Sequence, residues 1–294
     1  MGEVIKAVFA VCVLSRNIPE GERLIGRLFY LVRKSRKMVF LALIYGAMNI
    51  LSYISLHNIG AGMFTIFAQC KIMTTALFSS VILQRRYSWG RWRAIGSLMF
   101  GVILFTEPIW SDNNNTRILD GGNALVGIGA VVTEVSLSGF ASIYFEKVIK
   151  TDPEQLGIWE RNFQLALCSM PVYLVFIIQN EGETAGFAGG WSPLAWILAI
   201  LGAAGGLLVA LSIKYGDSIL KTLATTGAII LSSLLDHLFL GGQLTPVMCI
   251  AGLQVILAIC NYTFDTTPVD TRPRPSTKGD EESQALIEGG RTPT

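Results

Sequence analysis

The chain has 294 residues, 51% of them hydrophobic and 15% charged, with a formal net charge of +2 and a mean hydropathy of +0.51. That composition excludes an ordinary soluble domain and places the chain among membrane proteins. No P-loop, no GxGxxG after a strand, no HExxH and no GxSxG is present, so no enzyme, ATP-driven engine, cofactor or metal site is expected, and no nucleic-acid partner.

A membrane span needs about 20 predominantly apolar residues. In chain order, an apolar piece at 4–14, too short to span, precedes eight longer stretches at about 38–56, 62–83, 94–110, 123–145, 157–178, 193–213, 219–240 and 246–264. Alternating strand patterns are absent, so helices must satisfy the backbone in lipid. The expected fold is an all-α polytopic bundle over 1–264, with a repeat boundary near 111–122. After it, 265–294 is rich in Pro, Thr, Gly and charge and reads as a disordered cytosolic tail.

Arg16, Arg23, Arg27, Arg33, Lys34, Arg36 and Lys37 fill the first loop, and Arg85, Arg86, Arg91 and Arg93 fill "QRRYSWGRWR". The positive-inside rule places both in the cytosol. Alternate loops then fall on the far side: "HNIGAG", "QNEGETAGFAGGW" and "GGQLTP" carry no Lys or Arg, and "SDNNNTRILDGG" has only Arg117. This topology leaves the C-terminus cytosolic and the sequon at Asn114 on the lumenal or external side, open to glycosylation. Nine crossings ending in the cytosol begin in the lumen, yet no signal peptide is present; the chain is expected to start partway through, one span short. The five cysteines are scattered and read as packing residues.

"KIMTTALFSSVIL" and "KTLATTGAIILSSLL" share a lysine, a Thr-Thr pair and a Ser-Ser pair. They lie five spans apart, so the two helices run oppositely, the signature of inverted-repeat transporters whose sites lie at the repeat interface. The small residues of "GIGAVV", "LGAAGGLL" and "AIGSLMFGV" predict close helix packing.

Ionisable residues within a span face a cavity or a partner. Lys71, with Thr74 and Thr75 on its face, predicts a wet cavity or an internal pair with Glu134. Lys214 lies nearer the cytosolic edge, where snorkelling competes with binding an anion; two lysines from different halves would suit a phosphate-bearing substrate. Glu134, Asp236 and His237 read as proton carriers or as interhelical contacts. His57 reads as a residue at a span edge.

"QCKIMTTALFSSVILQRRYSWGRW", "SGFASIYFEKVIK", "WERNFQ" and "GGLLVALSIKYGDSILKTLATTGAIILSS" together resemble the nucleotide-sugar transporters of the drug/metabolite transporter superfamily, in the branch of the CMP-sialic acid, UDP-galactose and UDP-N-acetylglucosamine carriers. The resemblance implies a five-plus-five inverted-repeat bundle. The chain matches it less the first helix, with "GEVIKAVFAV" corresponding to the second. It further implies exchange of a cytosolic nucleotide sugar for a lumenal nucleoside monophosphate across the Golgi membrane or the endoplasmic reticulum, with homo-oligomer formation left open. Lys71 and Lys214 are then expected to contact the substrate phosphates, Asn49 and Asn162 the nucleotide, and Gln69 and Ser138 the cavity. Phe64, Thr65 and Ala68 stand where close relatives carry tyrosine, glutamine and tyrosine; Phe64 can still stack on a base. Ser218 replaces an asparagine. A proton-coupled metabolite carrier using Glu134 and Asp236, and a non-transporting assembly partner, are the alternative readings.

Overall fold

The computed structural model describes residues 1–17, 23–107, 122–151, 154, 156–179, 192–242 and 244–266, with side chains of 176–179 excepted. The sequon at Asn114, most of the expected repeat boundary and nearly all of the tail lie outside the described residues. Among the described residues the chain forms eleven helices and no strand: α1 (Gly2–Arg16), α2 (Leu24–Arg33), α3 (Arg36–Asn58), α4 (Ala61–Ala68), α5 (Lys71–Ile82), α6 (Trp89–Phe105), α7 (Ala124–Thr151), α8 (Ile158–Gln179), α9 (Pro193–Tyr215), α10 (Ser218–Leu240) and α11 (Pro246–Thr263).

The helix starts follow from local chemistry. Ser88, Ser192, Asp217 and Thr245 each accept a hydrogen bond from a backbone N–H in the first turn of α6, α9, α10 and α11, satisfying donors that would otherwise be orphaned. Pro193 and Pro246 open α9 and α11, where a missing N–H costs nothing. At the other end of α10, Gly241 adopts φ +72°, a left-handed conformation that glycine takes without strain and that stops the helix.

Six helical segments of the described residues are long and apolar enough to cross a membrane: Arg36–Asn58, Ala61–Ile82, Ala124–Thr151, Pro193–Tyr215, Ser218–Leu240 and Pro246–Thr263. Two further expected spans are helices of a different character. α6 has 17 residues, and α8 opens on Glu160, Arg161, Asn162 and Gln164, which lower its apolar content. The stretch expected as one helix over 62–83 is two, α4 and α5, joined through Gln69 and Cys70. Both N–H groups there bond three residues back, to Ile66 and Phe67, a tightened turn inside a span. The first basic loop also contains a helix, α2, that a count of its charges does not reveal.

Packing follows small residues. Gly139 of α7 lies so close to α5 that an added Cβ would come within 2.7 Å of Thr74 Oγ1 and 2.9 Å of its backbone carbon; Thr74 Oγ1 donates to the Val135 carbonyl at 3.2 Å across the same crossing. Gly101 does the same for α6 against α11, with Val255 2.8 Å from its would-be Cβ. By contrast Gly202 and Gly205 of α9, from the same kind of motif, have nothing within 4 Å. One core joins α3, α7, α8 and α9 through Met38, Leu41, Ala141, Phe145, Ile158 and Ile213. A second joins α5, α6, α10 and α11 through Ile72, Ile95, Leu98, Leu223 and Val255. Large apolar residues such as Leu125, Leu198, Leu240 and Ile250 are exposed around the bundle, which suits a lipid solvent and no aqueous one.

A candidate anion site between α5, α7 and α10

The loop after α5, the end of α7 and the turn between α9 and α10 meet at one end of the bundle, called here the basic end. Glu146 of α7 is fully buried there. Its carboxylate accepts from Arg85 Nη2 at 2.6 Å, Lys150 Nζ at 2.9 Å and the Ser218 backbone N–H at 2.9 Å. Arg85 also lies 3.3 Å from Asp217, Lys150 donates to the Gly216 carbonyl, and Ser218 Oγ donates to the Ser142 carbonyl at 3.1 Å. Burial opposes the charge on Arg85, but Glu146 and Asp217 outweigh it and hold the guanidinium above its ordinary pKa. A buried carboxylate needs such compensation; here it comes from three separate elements and ties them together. Because α5 ends where α10 begins, the two helices run in opposite directions.

Lys71 opens α5, about 16 Å along the helix from Ile82. It is exposed, and an exposed ammonium midway along an apolar segment needs water or a ligand beside it. Two charges reach it: Glu134 of α7, half-buried, and Lys221 in the first turn of α10. Thr75 donates to the Lys71 carbonyl at 2.7 Å, turning its hydroxyl back on the helix. Ser138 is half-buried on α7 beside Gly139, at the α5 crossing, and Gln69 is buried at the turn just before Lys71. Phe64 packs on the α7 side with Ile59, Val131 and Val135. Lys71, Gln69, Phe64, Glu134 and Ser138 therefore share the seam of α4 and α5 with α7.

The other expected residues stand elsewhere. Lys214 is exposed in the last turn of α9, its ammonium 5.3 Å from the ring centroid of Tyr215, which is itself exposed; an amphipathic pair at a span end is the snorkelling arrangement. Asn49 faces α8, where its amide donates to Tyr173 Oη at 3.3 Å beside an apolar groove containing Gly46 and Pro171. Asn162 is buried and returns its amide to the Ile158 carbonyl of its own helix at 2.9 Å. Asp236 is exposed near the end of α10 away from the basic end; its backbone carbonyl accepts from Gly242 N–H, and His237 Nδ1 lies 2.7 Å from the Gly242 carbonyl. Among the described residues no group of His, Cys, Asp and Glu could hold a metal ion. Lys221 was overlooked in the sequence, although the repeat match carried the signal: it is the lysine of "KTLATTGAIILSSLL".

Spans, lipid-facing surface and embedded charges define an all-helical polytopic membrane protein. Residues 1–263 match the family model described as nucleotide-sugar transporter. The chain is 33% identical over 277 residues to the UDP-N-acetylglucosamine transporter of Bos taurus, covering 91% of this chain and 84% of the relative. The Homo sapiens protein of that name is likewise 33% identical, over 278 residues. Similarity to the Homo sapiens UDP-galactose translocator is 36% over 231 residues, 78% of this chain and 57% of the relative. The chain belongs to the nucleotide-sugar transporter family.

Proposed function

We propose that this protein exchanges a UDP- or CMP-linked sugar for a nucleoside monophosphate by alternating access, with Lys71 and Lys221 as the cations that meet the phosphates. What supports this reading is that Lys71 and Lys221 sit on packed helices running oppositely, within electrostatic reach of each other, beneath the Glu146 tie at the basic end. Two ammonium groups in a partly desolvated site repel each other, and a phosphate neutralises both as point charges. The empty carrier is then costly to reorient and the loaded one is not, so exchange follows from electrostatics. Glu134 offsets part of the charge and keeps the site from holding its anion too tightly to release.

By the positive-inside rule the basic end is cytosolic. The reading places the protein in the Golgi membrane, with the endoplasmic reticulum as the alternative, and names of relatives favour a UDP sugar. Lys221 is favoured over Lys214 as the second cation because it lies within electrostatic reach of Lys71, whereas Lys214 lies over Tyr215.

The test is uptake of a panel of labelled nucleotide sugars into proteoliposomes preloaded with UMP, CMP, GMP or AMP. Uptake that requires UMP or CMP inside supports the exchange. Equal uptake into empty and loaded vesicles, or none with any pair from folded protein, contradicts it.

A further inference from the structure

α2 carries an apolar surface that the bundle does not cover. At helical spacing its apolar residues form one continuous arc with two flanks. Leu28 and Leu31 belong to the inner flank; Leu31 is fully buried and both pack with Ala7, Ala10, Leu156, Phe163 and Ala166. Ile25, Phe29 and Val32 form the outer flank, exposed at 81%, 72% and 47%. The remaining arc holds Gly26, Arg27, Tyr30 and Arg33, so the helix is strongly amphipathic across its length.

Its placement is fixed by polar contacts to the start of α8. Arg27 Nε donates to Glu160 at 2.7 Å, Lys34 pairs with Glu154 at 2.7 Å, and Gln164 Nε2 donates to the Leu31 carbonyl at 2.8 Å. These partners lie within the first two turns of α8 or just before it, which sets α2 beside the basic end of the bundle, where α7 ends and α8 begins. Arg33, next to Phe29 by helical spacing, is exposed, as are Arg23 just before α2 and Arg36 just after it. A short helix with exposed bulky apolar residues on one side and arginines at their margin fits the acyl–headgroup boundary of an anionic leaflet.

We propose that the outer face of α2 is seated on the membrane at the basic end and recruits anionic phospholipid, with Ile25, Phe29 and Val32 in the acyl boundary and Arg23, Arg33 and Arg36 at the headgroups. The occupant is lipid because the face is apolar, the margin is cationic and the helix lies beside the basic end of a spanning bundle. A protein partner on this face is the competing outcome.

The experiment uses the full chain with its native cysteines replaced, carrying a fluorophore on Ile25→Cys, Phe29→Cys or, on the polar arc beside Arg33, Gly26→Cys, whose would-be Cβ has nothing within 4 Å. The protein is reconstituted in phosphatidylcholine with about a quarter of the lipid brominated along the acyl chain, below the headgroup level, either as phosphatidylcholine or as phosphatidylserine. Expected is strong quenching at 25 and 29 and little at 26, with brominated phosphatidylserine several-fold more effective. Replacing Arg23, Arg33 and Arg36 by glutamine should erase that excess and leave the quenching by brominated phosphatidylcholine. Quenching at 25 and 29 no greater than at 26 overturns the seat, whether water or a protein covers it. Equal quenching by both lipids before and after the arginines are removed overturns the anionic preference. Neither readout involves transport, so its failure leaves the exchange reading standing.

Discussion

The two ends of α10 are built differently. Its buried residues, Ser218, Ile219, Thr222, Leu223 and Thr226, all fall within 218–226, where the helix is capped by Asp217 and held through Ser218 to Glu146 and Ser142. From Gly227 to Leu240 no residue is buried; Ser232, Asp236 and Phe239 line an open hollow instead. Lys221 stands one turn from that clamp. The difference teaches where polar contacts hold this molecule: the basic end is closed by charge–charge and charge–dipole contacts, and the opposite half of α10 packs partly, through Ile230, and otherwise presents an apolar surface suited to lipid.

The largest expected effect comes from breaking the clamp itself. Glu146→Ala removes the buried acceptor of Arg85, Lys150 and Ser218, at a cost of about 1.5–3 kcal/mol; thermal unfolding in detergent should fall by several degrees, whereas an unchanged midpoint would mean that the tie contributes nothing. Next come the lysines. Lys71→Ala and Lys221→Ala should each reduce exchange by more than about 100-fold, the loss of a charge-assisted contact to phosphate, with the protein still in the membrane. Lys214→Ala should retain most of its exchange rate, and loss equal to that of Lys221→Ala would move the second cation to α9.

Gly139→Ala sharpens the comparison at the middle of the seam. Its methyl group meets Thr74 backbone as well as side chain, so α5 must shift, costing about 1–3 kcal/mol of stability and displacing Lys71. Exchange should fall further than the stability loss explains, as read from rates at matched folded fraction. The smallest effect, and of opposite sign, belongs to Gly205→Ala, which meets open space inside α9: unfolding should become harder by about 0.5–1 kcal/mol, and destabilisation would reveal a neighbour at this surface.

Much of this was legible in the sequence because lipid imposes a simple rule, that a spanning segment be apolar and helical. The boundaries of α3, α9, α10 and α11 fall within a few residues of the apolar stretches, and Lys71 stands out against them as a charge in oil. The break at Gln69 and Cys70 was not legible, since both residues are compatible with a continuous helix. Helix α2 was hidden by its own arginines, which read as a charged loop until their spacing is considered. The full burial of Glu146 was not legible, because beyond Lys150 of its own helix the partners Arg85 and Ser218 come from two other elements whose meeting is a property of the fold. Lys214 and Lys221 look equivalent in a linear chain. Only the position of α10 relative to α5 separates them.

The most direct measurement of the lysine pair is equilibrium binding of UMP and of uridine to the purified protein and to the Lys71→Ala/Lys221→Ala double variant. The account predicts that the intact protein binds UMP far more tightly than uridine and that the double variant binds the two alike. A phosphate preference that survives the loss of both lysines would contradict it.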